Sequence, residues 1–211
     1  MILSHHTTSH LNPPQAGIGS VVLAAAGPGD PDLITVKAAN ALREAEVVLI
    51  DRLVSEVILH RYVPAGAEIV RVGKECRNNI STPQQVINEL IVDYALKGKR
   101  VVRLKGGDVS IFSNVLDELQ VLIDNKIPYE IIPGVTASLG AAAYAGIPLT
   151  ARGYATSVRF LTYYKSDIVT DEHWQDLAKT NVTLVFYMSS GTLGNVVEKL
   201  LQFGVQKNVH V

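Results

Sequence analysis

Five short, mostly apolar runs, at 21–26, 47–50, 68–72, 101–104 and 129–132, constrain the fold of this chain more than anything else in it. Each is too short for a buried helix, and near-continuous Val, Leu and Ile suit strands covered on both faces of a sheet. Helix starts lie between them. Asp30-Pro31 reads as an N-cap followed by proline in the first helical position, leading into Leu33, Val36, Ala41 and Leu42. Thr82-Pro83-Gln84-Gln85 reads the same way, with Gln85 placed for a capping box ahead of Val86, Leu90 and Ile91. Strand and helix in alternation imply βαβ units and a mostly parallel sheet.

A second block begins near Tyr154, with strands expected at 158–163 and 183–187 and helices around 174–178 and 194–202. Between the blocks, 136–150 is rich in alanine and glycine, which suits a tightly packed helix followed by a linker. The expected fold class is α/β, in two lobes with a cleft between them. The expected division is a flexible tail over 1–19, a first α/β lobe with its linker over 20–150, and a second α/β lobe over 151–211. The second lobe is expected to be truncated, because the chain stops at Val211 just as 208–211 enters a strand. His5, His6 and His10 stand with Pro13 and Pro14 in the tail and read as a polar segment, not as a metal site.

Several function classes are disfavoured by composition. The net charge of −1 gives no basic field for nucleic acid or anionic lipid. One cysteine, Cys76, cannot close an internal disulfide and fits a reducing compartment. No apolar run approaches the ~20 residues of a membrane span, and the N-terminus lacks the pattern of a secretory signal. A cytoplasmic protein is expected.

Three glycine turns follow expected strands: Gly27-Pro28-Gly29-Asp30, Lys105-Gly106-Gly107-Asp108 and Pro133-Gly134-Val135-Thr136-Ala137. Glycine at a strand end lets a ligand approach the backbone, and a helix start beyond it supplies N–H groups. The glycine spacing fits neither a P-loop nor a dinucleotide fingerprint. Each turn alone reads equally as an ordinary tight turn, but turns following parallel strands meet on one edge of the sheet. Asp51 and Lys74 also follow strands. A carboxylate in such a place can serve as a general base, or simply solvate a loop beside Arg52.

Taken in order, these segments resemble the tetrapyrrole methylases, and within that family the uroporphyrinogen-III C-methyltransferases. The resemblance also rests on Asp51-Arg52-Leu53-Val54-Ser55, Val72-Gly73-Lys74, Ala143-Tyr144-Ala145-Gly146-Ile147-Pro148-Leu149-Thr150 and Leu184-Val185-Phe186-Tyr187-Met188. It implies a homodimer using S-adenosylmethionine, without a metal, to methylate uroporphyrinogen III at C2 and C7 and give precorrin-2 for sirohaem and cobalamin. The implied donor contacts are Pro28, Gly106, Gly107, Asp108, Ile111, Thr136, Ala137 and Met188; Asp51 is the implied proton acceptor and Lys74 the implied proton donor. An acceptor with eight carboxylates calls for cations, and Arg52, Arg103, Arg152 and Arg159 are the expected substrate-binding residues, with Lys74 beside them.

The chain departs from the family pattern in three places. After Asp108 it reads Val109-Ser110-Ile111-Phe112-Ser113-Asn114-Val115-Leu116-Asp117-Glu118, where the family usually has Pro-Phe-Ile-Phe-Gly-Arg-Gly-Gly-Glu-Glu. After Lys74 it reads Glu75-Cys76-Arg77-Asn78-Asn79 in place of Arg-x-Gly-x-His, and Ala151-Arg152-Gly153-Tyr154 replaces His-Arg-Asp-Tyr. These changes touch the acceptor side more than the donor side. They keep open a methylase acting on another precorrin or a non-tetrapyrrole target, and a donor-binding subunit without turnover.

Overall fold

The computed structural model describes residues 17–73, 82–163, 165 and 169–205. Lys74, Cys76, the histidines of the N-terminal tail and the strand expected at 208–211 lie outside the described residues. By its internal contacts the chain divides into two compact units, Met1–Ala141 and Ala142–Val211.

The first unit is built on five strands: β1 (Ser20–Ala25), β2 (Val47–Ile50), β3 (Glu68–Arg71), β4 (Arg100–Lys105) and β5 (Tyr129–Ile132). All pair in parallel, in the order β3-β2-β4-β1-β5. The helices are α1 (Val36–Arg43), α2 (Glu56–Tyr62), α3 (Gln84–Leu96) and α4 (Val115–Asp124), with α5 (Ala137–Ala145) running out of the unit. From β1 the chain moves toward one edge of the sheet, through β2 to β3, and then reverses through β4 to β5. Right-handed crossovers place the helices of the two directions on opposite faces. Accordingly α1 and α2 pack on Ala24, Val48, Ile50, Val102 and Leu104, while α3 and α4 pack on Val21, Leu23, Val47, Leu49 and Val101. Alternate residues of the same strands supply both cores, which is why β1 and β2 are almost wholly apolar; β4 departs from this at Arg103.

Two expected helix starts differ from the structure. The Asp30 side chain accepts the Asp32 N–H at 2.8 Å, but it caps only a 3₁₀ turn over Pro31–Leu33. Helix α1 has its own cap, Thr35, whose hydroxyl accepts the Ala38 N–H. At α3 the capping box does not form: Pro83 occupies the cap position without a side-chain bond, and the Gln85 amide donates to Glu89 one turn on.

In the second unit, β6 (Val158–Thr162) and β7 (Thr183–Tyr187) pair in parallel, with α6 (Asp171–Lys179) and α7 (Leu193–Gln202). Tyr163, Trp174, Leu177 and Val196 form its core. The division between the units falls within α5, ahead of the boundary expected at 150. No helix among the described residues is long and apolar enough to cross a membrane.

Candidate functional site at the carboxyl edge of the sheet

The reversal of direction lies between β1 and β4, whose onward connections go to opposite faces. A crevice opens where neighbouring loops diverge in this way, at the carboxyl ends of the strands. The turns after β1 and β4 meet there. Gly27 and Gly107 donate to each other's carbonyls, the Gly27 N–H at 3.1 Å and the Gly107 N–H at 2.7 Å. Both have positive φ, +76° and +70°, which a side chain resists. The turn after β5, the neighbour of β1 on its other side, completes the row.

Glycine does two different jobs along this edge. At Gly73, Gly106 and Gly134 it lets adjacent turns touch. A Cβ on Gly73 would lie 2.6 Å from the Arg52 nitrogen, and one on Gly106 would lie 3.0 Å from the Leu53 Cβ. A Cβ on Gly134 would lie 2.5 Å from the Ala25 Cβ and 2.9 Å from the Gly107 oxygen. Gly140, in the second turn of α5, likewise meets the Pro28 ring, its added Cβ falling 2.6 Å from Cγ. At Gly107, by contrast, nothing lies nearer than the Ala137 nitrogen at 3.7 Å. An added Cβ there would make only ordinary contacts with the start of α5, so space rather than a neighbouring turn borders the half-buried residue.

Asp108 joins two of the turns. Its Oδ1 accepts the Ser110 N–H at 2.8 Å and its Oδ2 accepts the Gly134 N–H at 2.9 Å, tying the loop after β4 to the loop after β5. Thr136 is buried at the start of α5 and Ala137 is exposed beside it. Pro28 and Ile111 are half-buried. Of the residues implied as donor contacts, Pro28, Gly106, Gly107, Asp108, Ile111, Thr136 and Ala137 thus fall in the turns after β1, β4 and β5. Met188 belongs to the second unit, directly after β7, with φ +59° and an exposed side chain.

Asp51 follows β2, next to β4, and is 31% exposed. Its Oδ1 accepts a hydrogen bond from Arg103 Nη2 at 2.5 Å. Arg103 is not a cation open to a polyanionic acceptor, as expected above, but a buried one. Odd-numbered residues of β4 face α3 and α4, which puts Arg103 and Lys105 under the sheet, 1% and 3% exposed. There Glu118 of α4 receives both: Arg103 Nε donates to its Oε1 at 2.9 Å and Lys105 Nζ at 3.0 Å. Arg103 Nη1 adds longer bonds to the Leu49 and Leu104 carbonyls. Burial, and then the neighbouring Arg103, push the Lys105 ammonium below its ordinary value, against the pull of Glu118 and Asp51.

Arg52 and Arg152 are exposed. Arg159 of β6 pairs with Asp176 of α6. The sequence singled out neither Lys105 nor Glu118 as a site residue. Asp117-Glu118 looks like an ordinary acidic helix start, and only the placement of α4 against β4 shows that the second carboxylate is buried.

Comparison with known proteins agrees with this architecture. The siroheme synthase of Saccharophagus degradans is 46% identical over 186 residues, which are 88% of this chain and 40% of that protein. The chain thus spans about two fifths of the length of the curated relatives it matches. The crystal structure of a uroporphyrin-III C-methyltransferase from Thermus thermophilus complexed with S-adenosylhomocysteine aligns with a TM-score of 0.70 at 35% identity, covering 89% of this chain and 74% of that one. A cobalt precorrin-4 methyltransferase of cobalamin biosynthesis aligns with a TM-score of 0.76 at 30% identity, covering 88% and 75%. The family model of the tetrapyrrole (corrin/porphyrin) methylases matches residues 20–211, all three glycine turns included, and the chain belongs to that family.

Proposed function

We propose that this chain methylates carbon atoms of uroporphyrinogen III with S-adenosylmethionine, at C2 and C7, giving precorrin-2. The observation that carries the reading is the row of turns after β4, β1 and β5, bridged at Gly27 and Gly107, with the Asp51 carboxylate at the end of the adjoining β2. The Thermus thermophilus relative, complexed with S-adenosylhomocysteine, supports the donor. Siroheme synthases among the relatives support the acceptor.

The residues at this edge fit the donor. Space borders the backbone at Gly107, and α5 begins at the turn after β5, where helix N–H groups favour a carboxylate such as that of an amino-acid moiety. Pro28, Gly106, Gly107, Asp108, Ile111, Thr136 and Ala137 would hold it. When bound, S-adenosylmethionine supplies a methyl group on an electrophilic sulfonium, so the protein need provide no nucleophile.

Asp51 would take the proton that the ring sheds. As the pyrrole carbon gains its bond to the methyl group and the carbon–sulfur bond breaks, positive charge passes to the macrocycle and leaves as a proton. A half-exposed carboxylate held by Arg103 is suited to receive it. Lys74 would act as proton donor, and Arg52 and Arg152 as exposed cations for the acceptor's carboxylates. A homodimer belongs to the same reading.

Replacing Asp51→Asn tests it, since the substitution keeps shape and removes the base. Turnover should fall about 100-fold while donor affinity is retained. Wild-type turnover in a folded Asp51→Asn protein contradicts the role of Asp51. The likeness to a cobalt precorrin-4 methyltransferase favours a second reading, methylation of a later precorrin. Turnover of such a precorrin, with none of uroporphyrinogen III, would select it.

A further inference from the structure

We infer that Glu118 is a positioning residue, which fixes the Asp51 carboxylate by holding Arg103 between the two acids. The inference rests on the proposed role of Asp51 as proton acceptor and deepens it. Three buried charged side chains lie under β4, and they form one chain of contacts. Glu118 on α4 accepts from Arg103 Nε, and the same guanidinium donates through Nη2 to Asp51. Lys105 donates to the same Glu118 oxygen, and Gln84 of α3 lies 3.4 Å from it. The second oxygen, Oε2, has no hydrogen-bond partner among the described residues.

Such an arrangement is not what a core needs. Burying Arg103, Lys105 and Glu118 removes three charges from water, and an apolar set of similar volume would pack there at least as stably. One end of the chain of contacts reaches the carboxyl edge of the sheet, at Asp51, and the other reaches the half-buried Gln84 on α3. A guanidinium is planar and its N–H directions are fixed relative to one another, so clamping Nε on one carboxylate fixes the direction of Nη2 toward the other. Glu118 is itself held by a helix packed on the sheet through Leu122, which makes it a rigid support. Asp51, on a turn, is thereby tied to the fold's interior.

A double-mutant cycle tests the inference on the full chain. Glu118→Gln should lower turnover about tenfold, with acceptor KM and calorimetric donor affinity unchanged, and Glu118→Asp, which keeps the charge, should regain most of it. In an Asp51→Asn background Glu118→Gln should cost nothing more. Equal loss in both backgrounds overturns the inference, because Glu118 then acts independently of Asp51. Wild-type turnover in Asp51→Asn alone instead contradicts the proposed function of Asp51. If Glu118→Gln melts early, the charge-balanced pair Lys105→Met with Glu118→Gln supplies the same comparison. A readout apart from turnover is the Arg103 Nε–H resonance of labelled protein. It should exchange slowly in the wild type and in Glu118→Asp, and fast in Glu118→Gln. An unchanged signal in Glu118→Gln overturns the claim that Glu118 holds Arg103.

Discussion

Replacing Gly134→Ala should damage the site without touching any ligand-facing atom. The added Cβ would lie 2.5 Å from the Ala25 Cβ and 2.9 Å from the Gly107 carbonyl. Ala25 is fully buried within β1 and has nowhere to go. The Gly107 oxygen already accepts the Gly27 N–H, so moving it opens the bridge across the crevice. The turn after β5 must therefore lift, and the Gly134 N–H leaves the Asp108 carboxylate. A hydrogen bond to a charged acceptor contributes about 1.5–3 kcal/mol, and overpacking costs about 1–3 kcal/mol. Because the turn relieves one by losing the other, the two overlap, and a net loss of about 3 kcal/mol is expected. Urea unfolding should show it as a lower midpoint at unchanged slope. Titration with S-adenosylhomocysteine should show affinity weakened about tenfold or more, the equivalent of about 1.4 kcal/mol. Gly66→Ala, where an added Cβ meets nothing within 4 Å, serves as the control and should change neither. Unaltered stability and affinity in Gly134→Ala would refute the idea that close contact between the turns builds the donor surface.

Gly107→Leu places a side chain against the start of α5 at φ +70°, so ligand affinity should be lost for a backbone cost of about 1–2 kcal/mol; undiminished binding in the folded variant removes this turn from the site. Lys105 has its pKa lowered by burial, so between that depressed value and the ordinary 10.5 the unfolded chain holds a proton that the folded chain has shed. Stability should therefore rise with pH through that window and be lost as pH falls, and Lys105→Met should lack this component; parallel pH profiles of the two proteins contradict it. Thr35→Ala removes the cap of α1 and should cost about 1 kcal/mol by urea unfolding, whereas a null effect would return the cap to Asp30.

The strands were legible because β1 and β2 bury both faces and so read as apolar runs, and because β1, β2 and β4 each end in a glycine turn or an acid; their order in the sheet was not. Caps were less legible. Asp30-Pro31 has every local mark of a helix start, yet the chain makes one 3₁₀ turn there and restarts at Thr35. Helix α4 was not among the expected helices, although Asn114 and the acidic Asp117-Glu118 mark a helix start; in the structure Asn114 sits at the cap in the left-handed region without a side-chain bond. That omission hid Glu118. The charges of β4 were misread for a related reason: an arginine near a strand end suggests a surface cation, but period-two alternation turns Arg103 and Lys105 inward. A carboxylate on α4, 15 residues beyond Arg103 and 13 beyond Lys105, is what makes their burial tolerable. The glycines were recognised as a group, but their division of labour was not. Whether a glycine admits a neighbouring turn, as at Gly106, or borders space, as at Gly107, depends on strands distant in sequence.

The central claim is tested most directly by the mass of the product formed when the 211-residue chain is incubated with uroporphyrinogen III and S-adenosylmethionine. The account predicts a tetrapyrrole heavier by two methyl groups, with an equivalent amount of S-adenosylhomocysteine released, and neither product from Asp51→Asn on the same timescale. Recovery of unmodified uroporphyrinogen III from a chain that binds S-adenosylhomocysteine would contradict it.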